Sequence, residues 1–253
     1  MNINRLEAKR FTKIVNLSQS KKWLDVELKE KLLPLIEDSF AGISGEDYLQ
    51  KYFFNENAFE RKLRMYFNHE DLVGYCLLTF SKINVNKKNI VCIGASAAFY
   101  RKYRHGSNTI SFSVNEAVKY WLLHPWLSVC YADTMLSPAM YRAVAKEVAY
   151  IYPCPDREIP VNLLALVEKL KDTFSMRQSD QLAMQIDSPF ICFVGRKTNY
   201  SQSEIQLFRA DKKPEIHYYC QVNPNFDQGN ALIAVVPVNL RQMFEMLIKW
   251  FKR

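Results

Sequence analysis

No stretch of this sequence reaches the ~18 to 20 apolar residues that span a bilayer, and its opening, MNINRLEAKRF, lacks the apolar segment of a secretory signal. Neither a membrane span nor Sec-dependent export is expected. No CxxC pair occurs among the cysteines at 76, 92, 130, 154, 192 and 220, which removes the common zinc and redox motifs. Several of them sit in apolar runs such as IVCIG and SVCYA, so they read as reduced, buried small hydrophobes of a cytosol-like compartment. HExxH, a Walker loop and GxSxG are also missing, which weighs against metal-dependent, nucleotide-hydrolysing and serine-hydrolase chemistry. The chain shows no internal repeat of roughly 20 to 50 residues and no low-complexity tract, and solenoid and linker readings fall with them.

What is present is an ordinary globular composition, 49% hydrophobic and 24% charged over 253 residues, ample for two small domains. The net charge is +8, and most of the excess lies before residue 154, where 21 Lys and Arg face 15 Asp and Glu. Such a balance suits a phosphate-rich cofactor, nucleic acid or an anionic surface, but most often it serves solubility. Nucleic acid is not the expected partner.

The clearest seam is YPCPDREIP at 152–160, whose closely spaced prolines divide the chain into 1–153 and 154–253. Ahead of it, Trp23 to Phe40 has helical spacing, with Pro34 expected to kink or split the helix, and a short helix is expected over Glu46 to Tyr52. Phe59 to Phe67, Leu72 to Phe80 and Asn89 to Phe99 read as three consecutive strands. Ile110, Val114, Val118 and Trp121 mark a helix over Thr109 to Leu123, capped by Ser107 or Asn108. Trp126 to Ala132 returns as a strand, and Ser137-Pro138 opens another helix.

Beyond the seam a helix is expected at 160–174, strands at 189–195, 204–209, 215–222 and 231–237, and a closing helix at 240–251. The stripe Leu240, Met243, Phe244, Leu247, Trp250 and Phe251 of that last helix is expected to face the core.

One succession carries chemistry: the strand IVCIGASAAFY, the basic loop RKYRHGSN and the helix TISFSVNEAVKYW. A helix N-terminus offers unpaired N–H groups and a partial positive charge, and here Arg101, Lys102, Arg104 and Gly106 precede it, the makings of a diphosphate cradle. The segment resembles the GNAT superfamily of N-acetyltransferases, whose loop signature is Arg or Gln, two residues, Gly, one residue, then Gly or Ala. Arg101 and Gly106 match that signature; Arg104 stands where its first glycine belongs. The likeness continues through Leu127 to Asp133 and Ser137 to Tyr141 and is strongest over residues 71–152.

The resemblance implies an α/β fold, a mixed sheet flanked by helices, with 1–153 as acyl-CoA-binding domain. Residues 154–253 would be an α+β extension that shapes the substrate site or forms a degenerate second half. It implies acetyl-CoA as cosubstrate, held by Arg101, Arg104, Gly106, Ser107 and Asn108. N–H groups near Ala97 and Ala98 would polarise the thioester carbonyl. By motif position Tyr141 would protonate the departing thiolate and Asp133 would orient the amine.

Each residue also has a plainer reading: Tyr141 as a core aromatic beside Val144 and Val148, Asp133 as a loop or capping residue, His105 as an exposed histidine. The strand VCIGASAAFY carries no Asp or Glu where many family members keep one. Three functions stay open at this point: an N-acetyltransferase acting on an amine of a protein or small molecule, an inactive CoA-binding or interaction module, and a basic nucleic-acid or protein-interaction domain. No metal site is expected, and the acceptor, the oligomeric state and any export into a host cell are not legible.

Overall fold

Alternating apolar residues in residues 1–153 build most of one sheet, and two strands from residues 154–253 complete it. The computed structural model describes residues 11–18, 25–104, 108–175 and 188–252. Among these, the spatial strand order is β1 (Lys13–Ser18), β3 (Ala58–Asn68), β4 (Asp71–Val85), β5 (Lys88–Phe99), β6 (Ser128–Met135), β9 (Asn230–Val238) and β7 (Ile191–Phe193). Strands β2 (Phe40–Ala41) and β8 (Lys197–Thr198) form a separate ribbon. Every pair in the large sheet is antiparallel except β5 with β6, which a helical crossover makes parallel. The result is a mixed sheet with helices on its faces, the architecture expected from the sequence.

The three expected strands are β3 to β5. Asn86 and Lys87 close the β4–β5 hairpin with positive φ of 50° and 65°, the conformation that a tight two-residue turn demands. One face of the sheet carries α1 (Val26–Ser39), α2 (Gly45–Tyr48) and α5 (Val161–Phe174); the other carries α3 (Thr109–Leu123), α4 (Pro138–Glu147) and α8 (Leu240–Phe251). Asp25 caps α1 by accepting from the Leu28 N–H at 2.7 Å. Pro34 does not break this helix, which continues as one 14-residue element because Leu32, Leu35 and Ile36 are buried around it.

Three expectations fail. Residues 204–209 and 215–222 are not strands but lie in α6 (Gln202–Ala210) and α7 (Pro214–Val222). Alternation at Ile205 and Leu207 imitates a strand, but Ser201 and Glu204 form a capping box and Pro214 opens the next helix, so the terminus signals win. The stripe on α8 is the third. Leu240, Phe244, Leu247, Trp250 and Phe251 are 56% to 78% exposed, while Gln242 is turned inward. Gln242 Nε2 donates to the Tyr150 carbonyl at 3.0 Å and its Oε1 accepts from the Tyr150 N–H at 3.3 Å, which fixes the opposite rotation.

The proline-rich seam does not separate two sheets. Tyr152 exchanges two 2.8 Å backbone bonds with Val235 of β9, and β9 pairs with β6 along Val129 to Met135. Residues 154–253 therefore extend the sheet of the first half.

Candidate functional site

β5 and β6 pair over only four positions, Ile90 with Ser128 through Ile93 with Tyr131, although β5 continues to Phe99 and β6 to Met135. Beyond Ile93 the strands part. The Tyr100 N–H bonds Val73 of β4 at 3.2 Å, so strand alternation turns the N–H of Ala98 toward β4 and leaves the backbone groups of Ala95, Ala97 and Phe99 facing the gap. A cavity of about 230 Å³ occupies the opening.

At one end of this cavity lie Arg104, Thr109 and Ile110 at the start of α3. Asn108 holds the N-cap position but makes no side-chain cap bond, so the first N–H groups of α3 have no partner of that kind. Arg104 Nε donates to the Phe99 carbonyl at 3.4 Å. Arg101 instead pairs with Glu204 of α6. Gly106 and Ser107, together with His105, lie outside the described residues. Tyr103 anchors the loop: its buried hydroxyl accepts from Asn68 Nδ2 at 2.9 Å.

Asp133 sits where the strands separate and is 5% exposed. Its Oδ1 accepts from the Thr134 N–H at 2.7 Å and its Oδ2 from the Tyr131 hydroxyl at 3.1 Å, and the Ala95 N–H across the gap also donates to it. Burial pushes its pKa up to about 7 against the opposing pull of Arg196 and these hydrogen bonds. Asp133 itself is not among the residues that line the cavity; Tyr131, which donates to it, is.

Further along the cavity are Ser96 and Arg196. Tyr75 donates to the Tyr48 hydroxyl at 2.9 Å, and Tyr48 in turn forms a short bond with Ser96. Arg196, just before β8, is 3% exposed, and its guanidinium lies 4.2 Å from the Tyr52 ring centre and 5.1 Å from that of Phe40. The β2–β8 ribbon holds it there. Gly42, at φ 84°, lets the two backbones meet, since a Cβ at that position would strike the Gly195 carbonyl.

Tyr141 is placed differently from the role its motif position implies. It is 1% exposed and its hydroxyl donates to the Pro153 carbonyl at 2.8 Å, away from the residues that line the cavity. This is the setting of a core aromatic. A different tyrosine, Tyr200, lines the cavity and donates to Ser137 Oγ at the start of α4 over 3.4 Å. Sequence reasoning did not single out Tyr200, Arg196, Ser96 or Tyr48. Arg196 and Tyr200 lie in a segment with no motif, and only the pairing of β8 with β2 brings Arg196 to β5.

No family profile matches the sequence, and no curated protein matches it. Among solved structures, a GNAT-family N-acetyltransferase from Escherichia coli in complex with CoA aligns at 15% identity and TM-score 0.36, over 52% of this chain and 67% of its own. A GNAT-family acetyltransferase from Streptococcus pneumoniae aligns at 14% identity and TM-score 0.31, over 52% and 83%. The chain is similar to GNAT-family structures over about half its length. A conserved protein of unknown function from Enterococcus faecalis V583, described as a probable N-acyltransferase, aligns at 16% identity and TM-score 0.36 over 52% of this chain. That alignment spans 32% of the Enterococcus chain, about a third of its length.

Proposed function

We propose that this chain transfers an acyl group, acetyl in the simplest case, from a CoA thioester to an amine. The observation that carries this reading is the parting of β5 from β6, which leaves the outward edge of β5 around Ala97 without a ladder partner on β6, beside a buried carboxyl. An extended pantetheine arm can add to such an edge as a further strand would. Arg104 and the uncapped start of α3 offer positive potential to the CoA phosphates at the cavity's end.

In the reaction the amine nitrogen attacks the thioester carbonyl carbon, the proton the nitrogen gives up passes to the Tyr131 oxygen as Tyr131 passes its own to Asp133, and the carbon–sulfur bond breaks. The thiolate that leaves takes a proton from Tyr200. An outward N–H of β5, that of Ala97 first, stabilises the oxyanion that forms in between. Asp133 answers the absence of a carboxylate on β5 by supplying one from the neighbouring strand.

A second reading, CoA binding without turnover, draws on the Arg101–Glu204 pair, which occupies the leading arginine of the loop. Titration with acetyl-CoA followed by release of free CoA thiol in the presence of amines tests both. Binding with thiol release supports the transferase, binding without release the second reading, and no binding removes both.

A further inference from the structure

Among the described residues the buried cation of this site makes no direct ion pair, although the Asp133 carboxyl attracts it. Arg196 lines the cavity, and its Nε finds no hydrogen-bond partner among the described residues. The rings of Tyr52, Phe40 and Tyr48, with centres 4.2, 5.1 and 5.4 Å from the guanidinium carbon, stabilise its charge. The Tyr52 side chain also hydrogen-bonds the guanidinium, but that bond leaves Nε unsatisfied, and a guanidinium edge matches a carboxylate in a two-bond geometry. Asp133 attracts Arg196 through its charge but makes no ion pair or hydrogen bond with it, its oxygens accepting from Thr134, Tyr131 and Ala95 instead. A buried charged N–H without a partner is costly to keep, so a guanidinium with its Nε open beside free volume is arranged for an anion that arrives with a ligand.

Resting on the acyltransferase reading, we infer that the acceptor amine also carries a carboxylate, and that Arg196 holds this carboxylate while the amine faces Tyr131. The acceptor class is thus a small amino acid or an amine with a nearby carboxyl group. Arg196 would act as a specificity determinant: it raises the local concentration of correctly oriented amine and excludes neutral amines, which would leave its charge unanswered.

The test compares free amino acids with their C-terminal amides, and β-alanine with O-phosphoethanolamine. Binding is measured by thermal shift in the presence of CoA and transfer by thiol release with acetyl-CoA. The expected result is a preference of roughly 10- to 100-fold for the free carboxylate over the amide, the range for hydrogen bonds to a charged group. In Arg196→Lys and Arg196→Met this preference should collapse through KM while acetyl-CoA affinity holds. The comparison of acid with amide needs only the wild-type chain, so it stands even if a variant fails to fold.

Equal response to acids and amides overturns the inference, as does tighter binding of O-phosphoethanolamine than of β-alanine, or an undiminished preference in a folded Arg196→Met. Acetyl-CoA turnover with no dependence on Arg196 leaves the transferase reading intact and removes only the carboxylate. Carboxylate binding through Arg196 without any acetyl-CoA binding does the reverse.

Discussion

Arg101 donates to the carboxylate of Glu204, a residue 103 positions further along the chain, and so ties the loop after β5 to α6. The Arg101 bond and the capping interactions with Ser201 hold the Glu204 carboxyl down at about 2. If Arg101 is to meet a CoA phosphate it must leave this partner. Glu204→Gln keeps a residue able to complete the capping box but removes the competing charge, so acetyl-CoA affinity should rise. Arg104→Ala should weaken affinity by roughly 10- to 100-fold, the range for charge-assisted bonds, and Arg101→Ala by less. Isothermal titration of the three variants checks the order; a larger loss for Arg101→Ala than for Arg104→Ala would reverse it.

Asp133 should set the pH profile. Its proton must be off for it to act as base, so kcat/KM should rise through about 7, and Asp133→Asn should lower turnover by roughly 10²- to 10⁴-fold. Stability should move the other way. A carboxyl whose folded pKa is raised above its unfolded value, near 3.8, favours the folded state while protonated, and that contribution is lost as pH rises through about 7. Thermal melts from pH 5 to 8 should therefore show a fall in the wild type that is weakened in Asp133→Asn.

Two tyrosines can be separated by removing their hydroxyls. Tyr200→Phe should cut turnover by roughly 10²- to 10⁴-fold with little loss of stability, since its bond to Ser137 is long at 3.4 Å. Tyr141→Phe should leave turnover near wild type and cost about 1 to 2 kcal/mol, because the Pro153 carbonyl loses its partner in the core. Activity and melting curves on the pair decide between them, and full activity in Tyr200→Phe would send the acid role elsewhere.

On α8 the inward residue should matter more than the apolar stripe. Gln242→Ala strands the N–H and carbonyl of Tyr150 and should cost about 1 to 3 kcal/mol. Phe244→Ser, at an exposed position, should fall within about 0.5 kcal/mol of wild type. Chemical denaturation of both variants is the check.

How much of this was legible follows from where the signals lie. The helix over Thr109 to Leu123 has both its stripe and its terminators in the sequence, and its observed bounds are the same. Strands β3 to β5 announce themselves by β-branched and aromatic runs between turn residues. The rotation of α8 does not, because a hydrophobic stripe records which residues share a face and not what that face meets; two bonds from Gln242 decide it. Asp133 was named from its place at a strand end, but its burial depends on β9 packing beside β6. Arg196 was invisible for a similar reason: a two-residue ribbon between Phe40 and Thr198 carries it to the cavity, and nothing local marks that pairing.

The insertion of β9 beside β6 also sets an order of assembly during synthesis. Until residues 230–238 have left the ribosome, β6 has no partner along the edge that β9 later covers from Val129 to Met135, and Asp133 lies within that stretch. An unpaired apolar edge of this kind invites association with other chains. A nascent chain halted between β6 and β9 would thus hold much of the α3 end of the cavity without the environment that tunes the Asp133 carboxyl, and would be a natural client for chaperones that shield exposed strands.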